Sequence, residues 1–171
     1  MSEAPRGSND SRPDKEPLAA RGAPADRGGG AAPGPDRPEA PDGSDTYDLY
    51  QRGLDLLGRG SAAAAAQLLE RAAAAEPGSR SVLEALARAQ FATGRYLASA
   101  GSFRQIVEEI PSDDYAQFGL GLALARAGDP HAAAEHLALA AAMRPDLRHY
   151  TEALRDVRAT LRFRSRGQGL A

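Results

Sequence analysis

The strongest constraint on the fold is an interval of 34 residues that recurs through most of the chain after residue 44. Six sets of residues keep this interval: Pro77, Pro111 and Pro145; Gly60, Gly94 and Gly128; Gly53, Ala87 and Gly121; Leu69, Phe103 and Leu137; Ala65, Ser99 and Ala133; Ala72, Ile106 and Ala140. A period of this length indicates stacked units, none of which can bury its apolar face alone. The interval predicts three repeats, at about 46–79, 80–113 and 114–147.

Each repeat is predicted to form two helices joined by a short turn. In the third repeat Ser112 or Asp113 can cap the first helix, because a short polar side chain satisfies its free N–H groups. Gly128 follows that helix, where a left-handed residue is needed. Asp129 is then predicted to cap the second helix of this repeat, and Ser61 the second helix of repeat one.

Small residues at the middle of each first helix indicate that two helices approach closely. These residues are Gly53, Ala87 and Gly121. A mid-helix glycine costs about 1 kcal/mol relative to alanine, so a glycine there suggests that no larger side chain fits. The facing helices carry a matching small set, Ala65, Ser99 and Ala133.

The pattern resembles the tetratricopeptide repeat, whose motif has Leu-Gly and Tyr in the first helix, Gly at the turn, small and aromatic residues in the second helix, and a closing Pro. The matches are Leu49, Gly53, Leu56, Gly60, Ala65, Leu69, Ala72 and Pro77 in repeat one, Leu83, Leu86, Ala87, Gly94, Tyr96, Ser99, Phe103, Ile106 and Pro111 in repeat two, and Leu120, Gly121, Leu124, Gly128, Ala133, Leu137, Ala140 and Pro145 in repeat three. Arg52, Gln90 and Gln117 depart from the motif and are expected to weaken individual packing contacts. The resemblance implies an all-α fold, a right-handed α-α superhelix of about seven helices.

The segment before the repeats has a different composition. Residues 1–44 hold 8 of the 12 prolines and 7 of the 18 glycines, and their only large apolar side chains are Met1 and Leu18. Such a segment cannot bury enough surface to offset its ordering entropy, so we expect a disordered tail. It is either a solubilising tail or an arm that docks a partner.

Residues 146–166 are predicted to form a helix that closes the last apolar face of the stack, as terminal helices of solenoids do. Its apolar residues step by three and four: Leu147, Tyr150, Leu154, Val157 and Leu161. Asp146 is the predicted N-cap of this helix, and residues 167–171 are expected to be flexible. Residues 45–166 thus form the expected repeat module.

Nothing in the sequence suggests export or membrane insertion. The first residues lack the apolar run of a secretory signal, and no stretch approaches the roughly 18 apolar residues of a membrane span. Ser2 stands where N-myristoylation would require glycine. We therefore expect a cytoplasmic protein without membrane contact.

The sequence offers no catalytic, metal or cofactor site. There are no cysteines, which excludes disulfides and thiolate chemistry. His131 and His136 lie five residues apart, roughly 140° around a helix, and are badly placed to share a metal. Gly119 and Gly121 look like the start of a dinucleotide fingerprint, but Leu124 stands where a third glycine is required. We expect a protein that is not an enzyme and carries no cofactor.

The resemblance implies that the first helices line a concave groove. Its groove-facing positions are Tyr47, Tyr50, Leu54 and Leu57 in repeat one, Ser81, Glu84, Arg88 and Phe91 in repeat two, and Tyr115, Phe118, Leu122 and Ala125 in repeat three, with Arg126 beside them. Five of the nine aromatic residues fall at these positions, and aromatic side chains concentrate binding energy at interfaces. The alternative is that these rings are buried between repeats or by the N-terminal tail.

Some members of this family hold the C-terminal carboxylate of chaperones with Lys and Asn on these helices. Tyr50 and Leu54 occupy the two positions of repeat one where that clamp begins, so a different ligand is implied. A largely apolar groove suits an amphipathic helix or a hydrophobic peptide. The leading hypothesis is an adaptor or scaffold that binds a protein or peptide partner.

Two other hypotheses belong to different classes. The groove and the terminal helix could mediate self-assembly into a homo-oligomer. The terminal helix could instead bind an acidic or phosphate-bearing partner through a basic face of Arg148, Arg155, Arg158 and Arg162, or that face could simply be solvated. Residues 144–171 carry 7 Arg against 3 acidic residues, whereas the whole chain has a formal charge of −2. That near-balance argues against a dedicated nucleic-acid binder.

Overall fold

A computed structural model describes residues 43–168, and all regular secondary structure in this part of the chain is helical. Its seven helices are α1 (Gly43–Gly58), α2 (Ala62–Ala75), α3 (Arg80–Ala92), α4 (Tyr96–Glu109), α5 (Asp114–Ala127), α6 (Pro130–Met143) and α7 (Arg148–Gln168). Each helix packs against its successor, so the chain forms three helix pairs followed by α7. The predicted all-α repeat fold is confirmed.

The predicted terminal segments lie largely outside the described residues. The prediction of a disordered tail concerns residues 1–44, of which 1–42 are not described. Helix α1 already includes Gly43, and α7 continues to Gln168, two residues beyond the predicted end at 166. Of the segment predicted to be flexible, 169–171 are not described. No helix between 43 and 168 is long and apolar enough to cross a membrane.

The 34-residue interval encodes the core of the stack. Leu69, Phe103 and Leu137 all have an exposed fraction of 0%. The other two sets of the second helices are equally buried: Ala65, Ser99 and Ala133, and Ala72, Ile106 and Ala140. Equivalent residues of three repeats therefore fill equivalent places in one continuous interior.

Close approach of the paired helices is confirmed at two of the mid-helix glycines. A Cβ atom on Gly53 would lie 2.6 Å from Leu69 Cγ, and one on Gly121 would lie 2.6 Å from Leu137 Cγ. In repeat two the equivalent residue is Ala87, whose carbonyl oxygen accepts a 2.8 Å hydrogen bond from Ser99 Oγ. The second helix thus lies directly on the backbone of the first.

The turn inside each repeat depends on a left-handed glycine. The φ angles are 76° at Gly60, 77° at Gly94 and 99° at Gly128. Residues other than glycine are strained at such angles. A glycine at the equivalent position of each repeat therefore allows the same turn in all three. The predicted carboxylate caps are also present, because Asp113 and Asp129 each accept a 3.0 Å hydrogen bond from a backbone N–H of the following helix.

Two predicted caps are wrong. Ser61 precedes α2, but its side chain makes no capping hydrogen bond. Asp146 does not cap α7, which begins at Arg148; its two carboxylate oxygens accept hydrogen bonds of 3.0 and 2.8 Å from the guanidinium of Arg144. This pairing lowers the pKa of Asp146. A bidentate charged pair is stronger than a bond to a neutral N–H, and Arg144 lies only two residues away.

Two departures from the repeat motif are buried and hydrogen-bonded. Gln90 accepts a 2.8 Å bond from Ser102 Oγ. Gln117 donates to the carbonyl of Pro111 at 3.0 Å, and its oxygen lies 2.8 Å from His136 Nδ1, which can donate to it. A buried polar group costs stability mainly when it lacks a partner. These hydrogen bonds therefore limit the cost of burying a glutamine where the motif has an apolar or aromatic residue.

Candidate functional site

The predicted groove positions lie on the first helices of the repeats, which contact one another along the stack. Helix α1 touches α3, α3 touches α5, and α5 touches α7. The predicted side chains of repeats one and two face one another across this row, but those of repeat three have a different environment. The surface therefore divides into an N-terminal half, on α1 and α3, and a C-terminal half, on α5 and α7.

In the N-terminal half, Tyr47 and Tyr50 stand beside the charged residues of α3. Tyr47 is 54% exposed. Burial and the charge of Glu84 raise the pKa of Tyr50, whereas Arg88 and a side-chain hydrogen bond with Ser81 act in the opposite direction. The structure thus brings together five of the predicted groove residues from two repeats.

Apolar side chains extend this half of the surface. Leu54, Leu57 and Tyr50 are half-buried against the core of the first two repeats. Phe91 is half-buried near the end of α3, with its ring centroid 5.3 Å from that of Tyr96 in an edge-on contact. Each of these side chains therefore keeps a face toward solvent.

The charged residues of α3 are held in place from both sides. Arg80 Nε donates a 2.6 Å hydrogen bond to Asp113, and Arg80 also lies 3.7 Å from Glu84 one helical turn later. The Glu84 side chain is only 13% exposed, and Arg88 is 7% exposed. The ion pairs therefore hold Arg80 and Glu84 in place, whereas Arg88 lies among the buried residues of α3 and not on the open surface.

In the C-terminal half, Tyr115 and Phe118 are buried and do not line an open groove. Phe118 is 6% exposed; its ring is stacked on Tyr150 at 4.3 Å and meets His149 edge-on at 5.3 Å. Tyr115 is 9% exposed and packs edge-on against Phe103 at 6.3 Å. Of the other predicted residues here, Leu122 and Ala125 are half-buried and Arg126 is exposed.

Helix α7 is responsible for this closure. Tyr150 is 1% exposed, and its hydroxyl donates a 2.9 Å hydrogen bond to Asp114 at the start of α5. The sequence pattern predicts Tyr150 only as part of the apolar stripe of a terminal helix and predicts no role for His149 on this surface. The aromatic character of Tyr150 was the available signal, because a large ring there must lie against the last repeat.

The described residues offer no metal site. Between residues 43 and 168, no three His, Asp or Glu side chains are grouped so that they could hold an ion. His136 is hydrogen-bonded to Gln117, and burial lowers its pKa. His149 contacts the rings of Phe118 and Tyr150.

The basic face predicted on α7 is exposed. Arg148, Arg155, Arg158 and Arg162 all point away from the repeats. Arg148 lies 3.7 Å from Glu152 in the first turn. The four guanidinium groups are therefore accessible to solvent on the last helix.

Comparisons with solved structures agree with this architecture. The first tetratricopeptide domain of Spaghetti (RPAP3), bound to the HSP90 peptide SRMEEVD, is 18% identical with a TM-score of 0.65, over 70% of this chain and 95% of that one. MamA (MSR-1) is 21% identical with a TM-score of 0.64, over 71% and 70%. The Yersinia enterocolitica type III secretion chaperone SycD, in complex with a peptide of the translocator YopD, is 15% identical with a TM-score of 0.60, over 67% and 92%.

A search of curated proteins found no match. The family model for the tetratricopeptide repeat matches residues 50–114 and 103–148, which together make up more than half of the chain. Together the two matches run from α1 to the first residue of α7 and include the turn glycines and the buried sets described above. The chain therefore belongs to the tetratricopeptide repeat family.

Proposed function

We propose that this protein is a non-enzymatic cytoplasmic adaptor that binds a peptide or helix of a partner protein on the N-terminal half of its concave surface. The observation that carries the proposal is Tyr47, which is 54% exposed beside the half-buried Tyr50, Leu54 and Leu57. Aromatic side chains that keep part of their surface in water are typical anchors of protein interfaces. The buried Tyr115 and Phe118 are not part of this proposed site.

Two of the structural neighbours support peptide binding as the general activity. The RPAP3 domain is bound to an HSP90 peptide, and SycD is in complex with a YopD peptide. Both have the same fold as this chain, although their low identity carries no information on the ligand. The surface chemistry must therefore define what is bound here.

That chemistry favours an amphipathic segment. The row from Tyr47 to Leu57 offers an apolar track about three helical turns long, which matches the spacing of anchors on a bound helix. Glu84, whose side chain keeps 13% of its surface exposed, places a negative charge beside this track and would fix the direction of the segment. Arg88 is buried and is not part of the proposed site. A single segment on a surface of this size should bind with micromolar affinity, about −8 kcal/mol.

The test begins with peptides displayed on phage and selected against the full chain. Selected peptides are then synthesised and titrated by fluorescence anisotropy. Tyr47→Ala is expected to weaken their binding about tenfold, the effect of losing an interface anchor. Leu97→Ala is the matched control, because it removes a side chain that is 76% exposed on α4, outside the proposed site.

Three outcomes would contradict the proposal. Selection could enrich no peptide, or the enriched peptides could bind Tyr47→Ala as tightly as the unchanged chain. Binding that weakened equally in the Leu97→Ala control would also place the site elsewhere. Circular dichroism of each variant checks that the helices are intact.

A further inference from the structure

The last turns of α7 stand free of the repeats. In its first half Tyr150, Leu154 and Val157 are buried against the preceding helices. From 158 to 166 every side chain is exposed except Leu161, which is half-buried. This half of the helix therefore contributes little to the core, and its composition must be explained in another way.

The free half of α7 is strongly basic. Residues 155–166 contain five arginines (Arg155, Arg158, Arg162, Arg164 and Arg166) and one acidic residue, Asp156. On a helix with a rise of 1.5 Å per residue they lie along about 16 Å. Residues 45–143 are acidic by contrast, with 8 basic against 12 acidic side chains. The cluster is therefore a local positive end on an otherwise acidic module.

An aromatic ring stands within this cluster. Phe163 is 80% exposed, more than Tyr47, Leu97, Ile110 and Leu139, the other large apolar side chains exposed in the described chain. Sequence neighbours on a helix are separated by about 100°, so Arg162 and Arg164 flank the ring on either side. Packing among residues 43–168 gives no reason for a phenylalanine at this position.

We propose that the end of α7 binds the surface of an anionic membrane, with Phe163 in the boundary between headgroups and acyl chains and the arginines on lipid phosphates. Clusters of four to eight basic residues on a helix are typical of proteins that bind anionic lipids, and an aromatic residue beside them is typical of interfacial helices. The expectation of no membrane contact rested on the absence of a span and of a lipid anchor, neither of which this contact requires.

The direction of the ring favours a planar lipid surface over a nucleic-acid groove. Arg155, Arg158 and Arg162 share one side of α7, and Phe163 lies about 100° around the helix from Arg162. A helix placed in a groove by that arginine side would leave the ring in water. A surface that meets the tip of the helix engages Phe163 together with Arg162, Arg164 and Arg166.

The test is co-sedimentation of the full chain with lipid vesicles. Vesicles of phosphatidylcholine alone are compared with vesicles containing about one-third phosphatidylserine, where the surface potential is negative. We expect binding to the anionic vesicles only, and its loss as salt is raised. Each exposed arginine contributes about fivefold, so Arg162→Gln with Arg164→Gln should weaken partitioning about 25-fold, and Phe163→Ala about tenfold.

Matched variants test whether vesicle binding depends on this site or only on the total charge and exposed apolar surface of the protein. Arg71→Gln with Arg104→Gln removes two exposed arginines from the second helices, and Leu97→Ala removes another exposed apolar side chain. Both should leave vesicle binding unchanged. The proposal is overturned if the chain ignores anionic vesicles at low salt, if the control pair matters as much as the α7 pair, or if a DNA duplex or polyglutamate binds more tightly than the vesicles.

Discussion

The two halves of the concave surface are built from equivalent positions of the same repeat, yet one faces solvent and the other lies in the core. In the N-terminal half Tyr47 and Tyr50 keep exposed surface, because no helix between residues 43 and 168 covers them. In the C-terminal half Tyr115 and Phe118 are covered by α4 and α7. Position in the repeat therefore does not determine the role of a ring, because the neighbouring helix decides whether the ring stays exposed or stabilises the stack.

The largest expected effect, which tests whether the two halves differ in burial, concerns Phe118. Phe118→Ala removes a ring stacked on Tyr150 and should lower the free energy of unfolding by about 3–5 kcal/mol, as is usual for a buried aromatic. Tyr47→Ala should change it by less than about 0.5 kcal/mol, because the side chain is largely exposed. Urea unfolding measures both. Comparable effects of the two variants would show that the halves do not differ in burial.

A second comparison concerns the close helix contacts behind each half. Gly121→Ala should destabilise the fold by about 1–3 kcal/mol, because the new methyl group meets Leu137 and also the backbone oxygen of Ala133, at 3.1 Å. Gly53→Ala meets only the side chain of Leu69, which can shift, and alanine also favours the helix. We therefore expect Gly53→Ala to lower stability less than Gly121→Ala does, and thermal unfolding measures both. A larger loss of stability for Gly53→Ala than for Gly121→Ala would mean that repeat one is packed more rigidly than repeat three.

The hydrogen bond that fixes α7 gives a third, smaller effect. Tyr150→Phe keeps the ring on Phe118 but removes the 2.9 Å bond to Asp114, and should cost about 1 kcal/mol. Peptide binding to the N-terminal half should not change. A variant with unchanged stability would indicate that ring stacking alone closes the C-terminal half.

The smallest expected effect is a pH dependence of stability that comes from His136, on helix α6 behind the C-terminal half. Burial lowers the pKa of His136 in the folded state, so the unfolded chain binds its proton more readily. Stability from this group is present above the unfolded pKa of about 6.5 and is lost as pH falls below it. His136→Gln should flatten the change in urea midpoint between about pH 7.5 and about pH 5. A dependence that is identical in the variant would assign it to other groups.

The polar pair behind this prediction has no counterpart in repeat one. Gln117 and His136 occupy the positions that Leu49 and Leu68 hold there, two intervals of 34 residues earlier. The sequence identified Gln117 as a departure from the motif. It could not identify the partner, because His136 lies 19 residues away on another helix.

The fold followed from the sequence because one interval determines three buried sets and three left-handed turns. The wrong predictions concern two situations. In one, a neighbouring side chain competes for a hydrogen bond; in the other, the helix at the end of the stack covers a residue of the last repeat. Asp146 was expected to cap α7, but Arg144 binds its carboxylate. Tyr115 and Phe118 were placed in a groove because the pattern assumes open first helices, whereas α7 brings Tyr150 onto Phe118. Such contacts depend on a helix outside the repeat pattern.

Asp113 also determines how strongly neighbouring repeats depend on one another. Its carboxylate starts α5 and holds Arg80 of the preceding repeat, so neither bond can be lost without weakening the other. One repeat earlier the same position is Ser79, whose side chain makes no capping bond. The first two repeats are joined by an exposed ion pair between Glu70 and Arg95, a kind of pair that contributes little, and by a hydrogen bond between the neutral side chains of Tyr50 and Ser81. Repeat one should therefore undock first, and a ligand bound to Tyr47 would restore cooperativity to the whole stack.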